Sequence, residues 1–170
     1  LAFGPKSYEH STCVDIGRVA KRFPDVNFLI YHSGFVTGQP EGPYDPTRSD
    51  GIDALCTSLA ANGIKPGSNV YAELGSTWRF LMRDPDSAAH ALGKLFRYCG
   101  TDNVLWGTDS IWYGSPQWQI EAFRRLEIPL EMQRNNRFAR LGAADGLVKT
   151  AILGGNSARL YRLDVLSAQS

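Results

Sequence analysis

The chain has 170 residues, of which 43% are hydrophobic and 21% are charged, and its formal net charge is +1. This composition is typical of a soluble globular protein, and its dispersed, nearly balanced charges argue against a nucleic-acid partner. No apolar run approaches the roughly 18 residues that a membrane-spanning helix needs, so no membrane partner is expected. The three cysteines, Cys13, Cys56 and Cys99, lack CxxC spacing, which favours buried thiols in a reducing compartment and predicts a cytoplasmic protein.

Three apolar segments, at residues 27–32, 69–74 and 103–109, are predicted to be β-strands. Each segment begins with an asparagine and follows a turn-like stretch of sequence. The first two segments show little alternation of polar and apolar residues, as expected for strands that are covered on both faces in a parallel sheet.

Helices are predicted before, between and after these strands. Their ends are marked by capping and stop signals: Thr12 with Asp15 as a capping box, Asn62-Gly63 as a stop, Asp84-Pro85 and Ser115-Pro116 as starts, and a helical tail from Val148 to Leu160. On the third helix, His90 and Lys94 are placed on the polar, solvent-facing side.

Strands that alternate with helices predict an α/β fold with parallel βαβ units, and the absence of linker-like tracts predicts a single domain over residues 1–170. Residues 33–50 and 75–84 are predicted to be irregular. Both segments follow a strand and precede a helix, so both are expected on the carboxyl side of the sheet, where long loops commonly bind or cover a ligand.

Each predicted strand carries a polar residue at or near its carboxyl end: His32, Glu73 and Asp109. Parallel strands share one carboxyl edge, so these side chains are expected to meet there. A neutral imidazole and an ionised carboxylate held on rigid backbone could bind a divalent metal or activate a water. The structural alternatives are a buried histidine bonded to backbone, an aspartate that caps a turn, and a glutamate that is solvated or paired with Arg79.

The other candidates have stronger structural explanations. His10 lies in an N-terminal loop and does not end a strand. The Gly154-Gly155 pair is interpreted as a break between two helices rather than a phosphate cradle, because no strand precedes it. Three tryptophans in or after loops could form a substrate wall or pack in the core: Trp78, Trp112 and Trp118.

Three segments, in this order along the chain, resemble the amidohydrolase-related family of metal-dependent hydrolases and decarboxylases. In residues 24–34 a Pro-Asp pair precedes a strand that ends in His-x-Gly. In residues 103–109 a strand runs into Gly-Thr-Asp, and residues 152–163 contain Gly-Asn-x-Ala-Arg-Leu. Together the three segments extend the resemblance over nearly the whole chain.

The resemblance implies part of a (β/α)8 TIM barrel, namely about the last three strands and the C-terminal helices. In that scheme His32 ends the sixth strand and binds metal or holds the substrate's carbonyl group. Asp109 ends the eighth strand, binds the metal and takes a proton from the attacking water. Glu73 lies at the seventh strand, for which the family pattern implies no fixed role. The resemblance implies a divalent metal, with zinc as the first choice and manganese or iron as alternatives.

The sequence departs from the family pattern in several places. It contains no His-x-His, which family members carry on the first strand, and no proline closely follows Asp109. A complete barrel takes roughly 250 residues, so we interpret the chain as the C-terminal part of a barrel, in which the metal could be absent. Open sheet edges are then expected to pair with the missing N-terminal half or with another copy.

The leading hypothesis is a metal-dependent hydrolase that cleaves a C–N or C–O bond, or a decarboxylase of the same architecture, with this chain alone inactive. A small carboxylated or aromatic substrate would contact Arg48, Arg79, Trp78 and Trp112. The alternative is a non-catalytic half-barrel that acts as an oligomeric or interaction module. A doubly wound nucleotide-binding fold is disfavoured because no glycine-rich loop follows a strand.

Overall fold

A computed structural model describes residues 8–164 of the chain. Three parallel strands form one sheet in the order β1-β2-β3, with β1 at Phe28–Ile30, β2 at Val70–Glu73 and β3 at Val104–Leu105. Phe28 pairs with Val70, and Ala72 pairs with both Ile30 and Val104. The predicted parallel α/β architecture is confirmed, although the strands are shorter than the six- and seven-residue segments that the sequence indicated.

Helices precede, separate and follow these strands, and most of them begin within a few residues of the predicted starts. The α-helices of the described residues are α1 Ile16–Arg22, α2 Gly51–Ala61, α3 Gly75–Leu81, α4 Pro85–Tyr98, α5 Ser110–Tyr113, α6 Gln117–Arg125, α7 Leu130–Asn136, α8 Leu147–Thr150 and α9 Asn156–Tyr161. A 3-10 turn at Tyr31–Gly34 directly follows β1, and a π-helical turn at Ala151–Gly155 joins α8 to α9.

Two predictions about helices are corrected. Residues 75–84 were predicted to be irregular, but they contain α3, because Trp78 and Leu81 lie three residues apart and both are buried against the core. The helix predicted to begin at the Thr12–Asp15 capping box instead begins at Ile16. Its N-cap residue is Asp15, whose side chain makes no capping hydrogen bond.

The prediction of a solvent-facing side on the third helix was wrong. In α4 the residues from 87 to 96 are all buried, and His90 is 7% exposed while Lys94 is fully enclosed. The physical reason is that α4 packs against α2, α3 and α7, so no broad face remains for solvent. The charge on Lys94 is compensated by Glu41 and Asp53, which lie 2.5 and 2.9 Å from its ammonium nitrogen.

Asparagine side chains bind backbone carbonyl groups at the amino end of the sheet. The Asn69 amide nitrogen lies 2.9–3.2 Å from the carbonyl oxygens of Ala20, Phe23 and Val26, which follow or end α1. Asn103 donates to the carbonyl oxygens of Ser68 and Val70 on the neighbouring strand segment. The asparagines that open β2 and β3 therefore tie each strand to the chain segment beside it.

The three cysteines are free and buried, as the sequence predicted. Burial raises the pKa of Cys13 to about 11 and that of Cys99 to about 12, so both remain thiols at neutral pH. Within residues 8–164, no helix combines the length and the apolar character needed to cross a membrane.

Candidate active site

A left-handed turn places His32 at the carboxyl end of β1. The φ angles of His32, Ser33 and Gly34 are 54°, 53° and 71°, and for the two non-glycine residues such a conformation costs roughly 1–3 kcal/mol each. Residues at the end of β2 and just after it hold this turn. The His32 N–H donates to Glu73 Oε2 at 2.9 Å, Ser33 Oγ donates to the Glu73 carbonyl at 2.8 Å, and Thr77 Oγ1 donates to the His32 carbonyl at 2.6 Å.

The side chains of His32, Glu73 and Asp109 meet at this edge of the sheet. The two imidazole nitrogens face different carboxylates, because Nδ1 lies 3.2 Å from Glu73 Oε2 and Nε2 lies 3.3 Å from Asp109 Oδ2. The histidine is buried, whereas the carboxylate side chains are 19% and 22% exposed. The structure therefore brings together the three residues that the sequence placed at the strand ends.

Two glycines allow this close approach of side chains to backbone. A β-carbon on Gly107 would lie 1.9 Å from Glu73 Oε1, and one on Gly75 would lie 2.5 Å from His32 Nδ1. Real β-carbons do not approach other atoms so closely. Any larger residue at either position would therefore displace the carboxylate or the imidazole.

Ser76 is a site residue that the sequence reasoning missed. Its N–H donates to His32 Nδ1 at 3.2 Å, and its Oγ donates to Asp109 Oδ2 at 2.6 Å. The same Oγ shares a hydrogen bond of 3.1 Å with the Tyr113 hydroxyl. The signal that could have found Ser76 is the small Gly75-Ser76 pair directly after a strand, which is where a helix can begin close to a site.

These contacts define the protonation of the histidine. Burial lowers the pKa of His32 from its usual 6.5, although the Asp109 carboxylate opposes this effect, so the ring is neutral at pH 7. Because Nδ1 accepts the Ser76 N–H, the ring proton lies on Nε2 and faces Asp109. Burial also raises the pKa of Glu73, although N–H groups of His32 and Gly75 favour its ionised form.

The His32–Asp109 pair fits two positions of a metal site. Two ligand atoms of a tetrahedral zinc, each about 2.0–2.2 Å from the ion, are roughly 3.3–3.6 Å apart. The observed separation of His32 Nε2 and Asp109 Oδ2 is 3.3 Å. Within the described part of the chain, no three His, Cys, Asp or Glu residues are grouped to hold a metal, so this pair could supply only part of a ligand set.

Comparison with known families decides how this chain is classified. A family model described as Amidohydrolase matches residues 2–163. The chain belongs to the amidohydrolase family. The resemblance deduced from the three sequence segments is thereby confirmed, and the family supports an activity in the hydrolase and decarboxylase superfamily. Comparisons with curated proteins and with solved structures gave no significant match.

The two arginines predicted to receive a substrate differ in this amidohydrolase-family chain. Arg48 donates to Asp50 and also lies 3.5 Å from Asp53, so its charge is already compensated. The Arg79 guanidinium lies 5.4 Å from the centre of the Tyr113 ring, whose hydroxyl bonds Ser76 at the site. Arg79 is therefore connected to the His32–Asp109 pair through Tyr113 and Ser76, whereas Arg48 pairs with Asp50 and Asp53.

The predicted substrate tryptophans also separate into two groups. Trp78 is a core residue, because it is 1% exposed, its ring packs against Phe123, and its indole N–H donates to the Gln119 carbonyl. The structure thus corrects its placement in a substrate wall. Trp112 is 79% exposed on α5, three residues after Asp109. Trp118, on α6, is 77% exposed.

Proposed function

We propose that this chain supplies the water-activating residues of a metal-dependent hydrolase that cleaves a C–N or C–O bond, or of a decarboxylase with the same architecture. The observation that carries the proposal is the 3.3 Å separation of His32 Nε2 and Asp109 Oδ2 at the carboxyl end of the sheet. Membership of the amidohydrolase family, in which divalent metals are typical, supports it.

His32 and Asp109 would hold the metal, with zinc as the first choice because an imidazole and a carboxylate suit it. A bound divalent metal would polarise a water and the substrate's carbonyl group. Asp109 would act as the general base that takes the proton from the water. Ser76 would orient Asp109, because its hydroxyl donates to Oδ2 and fixes the rotation of the carboxylate.

A small substrate with a carboxylate or an aromatic ring suits the surroundings of the site. Arg79 would bind the carboxylate, since its guanidinium packs on the face of the Tyr113 ring and forms no ion pair with an acidic residue of the described part of the chain. Trp112, exposed directly after the site, would provide a stacking surface for a ring. Arg48 would require release from Asp50 before it could contribute.

The three βα units are proposed to form part of a TIM barrel whose remaining strands come from further residues or from another copy. Within the described residues β1 and β3 each pair only with β2, which leaves one side of each strand open. A groove of about 360 Å³ follows the open side of β1, and Leu29 and Tyr31 are exposed there. An added strand would cover these groups.

Zinc affinity tests the metal site. In a chelator-competition titration, Asp109→Asn and His32→Asn are expected to weaken zinc binding more than roughly 100-fold, beyond the 10–100-fold typical of residues that only support a ligand. Asp25→Asn is the matched control. Asp25 is exposed and precedes β1 in the sequence, and its substitution removes the same charge. Equal zinc affinity in Asp109→Asn and Asp25→Asn would contradict the proposal.

Turnover distinguishes the enzyme from the non-catalytic alternative. The full-length protein loaded with zinc is expected to hydrolyse or decarboxylate members of a panel of small carboxylated aromatic compounds, and Asp109→Asn is expected to abolish that turnover. A stable oligomer that neither binds zinc nor turns over any compound would instead favour the half-barrel interaction module.

A further inference from the structure

We infer that Glu73 is a positioning residue for His32: its carboxylate holds the left-handed turn and faces the ring nitrogen opposite the one that points at Asp109. The expected effect of Glu73 on zinc affinity rests on the proposed function. The expected effect of Glu73 on the turn at His32 in the metal-free chain does not. The family resemblance implies no fixed role for this glutamate, and the sequence pattern indicates only that it lies near His32 and Asp109.

The first support is the backbone of the turn. Glu73 Oε2 accepts the His32 N–H at 2.9 Å, and this N–H lies at the start of the three-residue left-handed stretch. A carboxylate acceptor forms a stronger hydrogen bond than a neutral one. Without it the buried N–H would be left unsatisfied next to backbone that L-residues rarely adopt, so the turn would open more often.

The second support is the imidazole ring. For Nε2 to bind a cation beside Asp109 Oδ2, the ring proton has to leave Nε2, and a neutral ring then carries its proton on Nδ1. Glu73 Oε2 lies 3.2 Å from Nδ1, so Glu73 is the carboxylate within reach of that proton. A histidine ligand commonly donates its second N–H to a carboxylate in this way. The Ser76 N–H donates to Nδ1 in this structure and so stabilises the other tautomer, in which the proton lies on Nε2.

The third support is the confinement of the carboxylate. Glu73 Oε1 is so close to Gly107 that a β-carbon there would lie 1.9 Å away, and Gly75 closes the other side. The side chain itself is 19% exposed. Its carboxylate is therefore fixed between three backbone segments, as a positioning group must be, rather than swinging in solvent.

Two variants of Glu73 test the inference. Glu73→Gln keeps the shape but removes the charged acceptor. Glu73→Asp keeps the charge but shortens the side chain by one methylene, so that its carboxylate falls short of the His32 N–H. This variant provides the test if Glu73→Gln fails to fold. The control is Glu131→Gln, which removes the same charge from an exposed residue of α7.

The metal-free full-length protein gives the first measurement. Amide hydrogen exchange at His32 is expected to accelerate roughly 10- to 100-fold in Glu73→Asp, the range for losing a hydrogen bond to a charged acceptor, and by a smaller factor in Glu73→Gln, whose amide oxygen can still accept the N–H. It is expected to stay at the wild-type rate in Glu131→Gln. A uniform acceleration over the whole chain would indicate a merely structural role and overturn the inference, as would an unchanged rate at His32.

Zinc gives the second measurement. The Glu73 variants are expected to bind zinc about 10- to 100-fold more weakly than Glu131→Gln, and nitrogen NMR of zinc-loaded wild type is expected to show the His32 proton on Nδ1. Unchanged zinc affinity in the Glu73 variants, with binding still lost in Asp109→Asn, overturns the inference and leaves the proposed function intact. If wild type binds no zinc, the proposed function fails, and hydrogen exchange alone decides the role of Glu73.

Discussion

Two clusters of charged residues in this chain differ in how their charge is balanced. In the first, Lys94 lies between Glu41 and Asp53, and Arg48 pairs with Asp50 and approaches Asp53, so that each of the three carboxylates meets a lysine or an arginine. In the second, at the strand ends, Glu73 and Asp109 share a histidine that burial keeps neutral. In the ion pairs of residues 8–164, neither of these two carboxylates meets a lysine or an arginine.

The difference indicates which of the two clusters could bind an added cation. The Lys94 cluster is complete within the chain and ties the long segment after β1, through Glu41, to α2 and α4. The strand-end cluster carries negative charge without a matching cation, and it is built on left-handed backbone at His32 and Asp109. Strain and uncompensated charge at one place are features of functional sites.

The largest effect is expected from Lys94→Met. This change leaves the buried carboxylate of Glu41 without a cation and that of Asp53 with only the more distant Arg48, so the free energy of unfolding should fall by about 3–5 kcal/mol. Urea denaturation measures it. Lys65→Met, at an exposed lysine, is the control and should change stability by less than about 0.5 kcal/mol. If the two variants were equally stable, the Lys94 cluster would not be the structural one.

An intermediate effect is expected from Gly107→Ala. The new methyl group would overlap Glu73 Oε1, and the resulting shifts should cost about 1–3 kcal/mol of stability and weaken zinc binding. Gly42→Ala is the matched control, because a β-carbon at Gly42 meets no atom within 4 Å. Thermal denaturation and zinc titration of the two variants would sharpen the comparison. Normal zinc affinity in Gly107→Ala would show that the site tolerates displacement of Glu73.

The smallest effect concerns pH and the two buried histidines, His32 in the strand-end cluster and His90 in α4. Burial lowers the pKa of both His32 and His90 from 6.5. Below pH 6.5 the unfolded chain binds protons that the folded chain resists, so their contribution to stability is complete above 6.5 and decreases as the pH falls below it.

His90→Phe should therefore flatten the dependence of unfolding free energy on pH below 6.5, by at most about 1.4 kcal/mol per pH unit. Urea denaturation of the metal-free protein at pH 7 and pH 5.5 measures this slope. The pH dependence that remains in His90→Phe is expected to include the contribution of His32. A slope identical to that of wild type would mean that His90 takes up its proton as readily in the folded chain as in the unfolded one.

The sequence was sufficient for the parallel sheet, for the meeting of His32, Glu73 and Asp109, and for the family. These depend on strand patterns and on the shared carboxyl edge of parallel strands. The burial of Lys94 and His90 was not predictable from the helix pattern. Periodicity identifies one apolar face, whereas the number of neighbours around α4 is a property of the tertiary packing.

The local geometry of the site was also beyond the sequence reasoning. A glycine at position 34 indicates left-handed backbone, but nothing in the residue types of His32 and Ser33 does, since their turn is held by Glu73 and Thr77 from the next βα unit. Ser76 was missed for a related reason. Its role depends on α3 beginning at Gly75, in a segment predicted to be irregular.

The most direct test of the central claim is the position of a zinc ion in crystals of the full-length protein, located by anomalous diffraction at the zinc absorption edge. We expect a peak between His32 and Asp109, about 2.0–2.2 Å from both Nε2 and a carboxylate oxygen. A fully occupied zinc elsewhere in the protein, with no metal between Nε2 of His32 and Asp109, would contradict it.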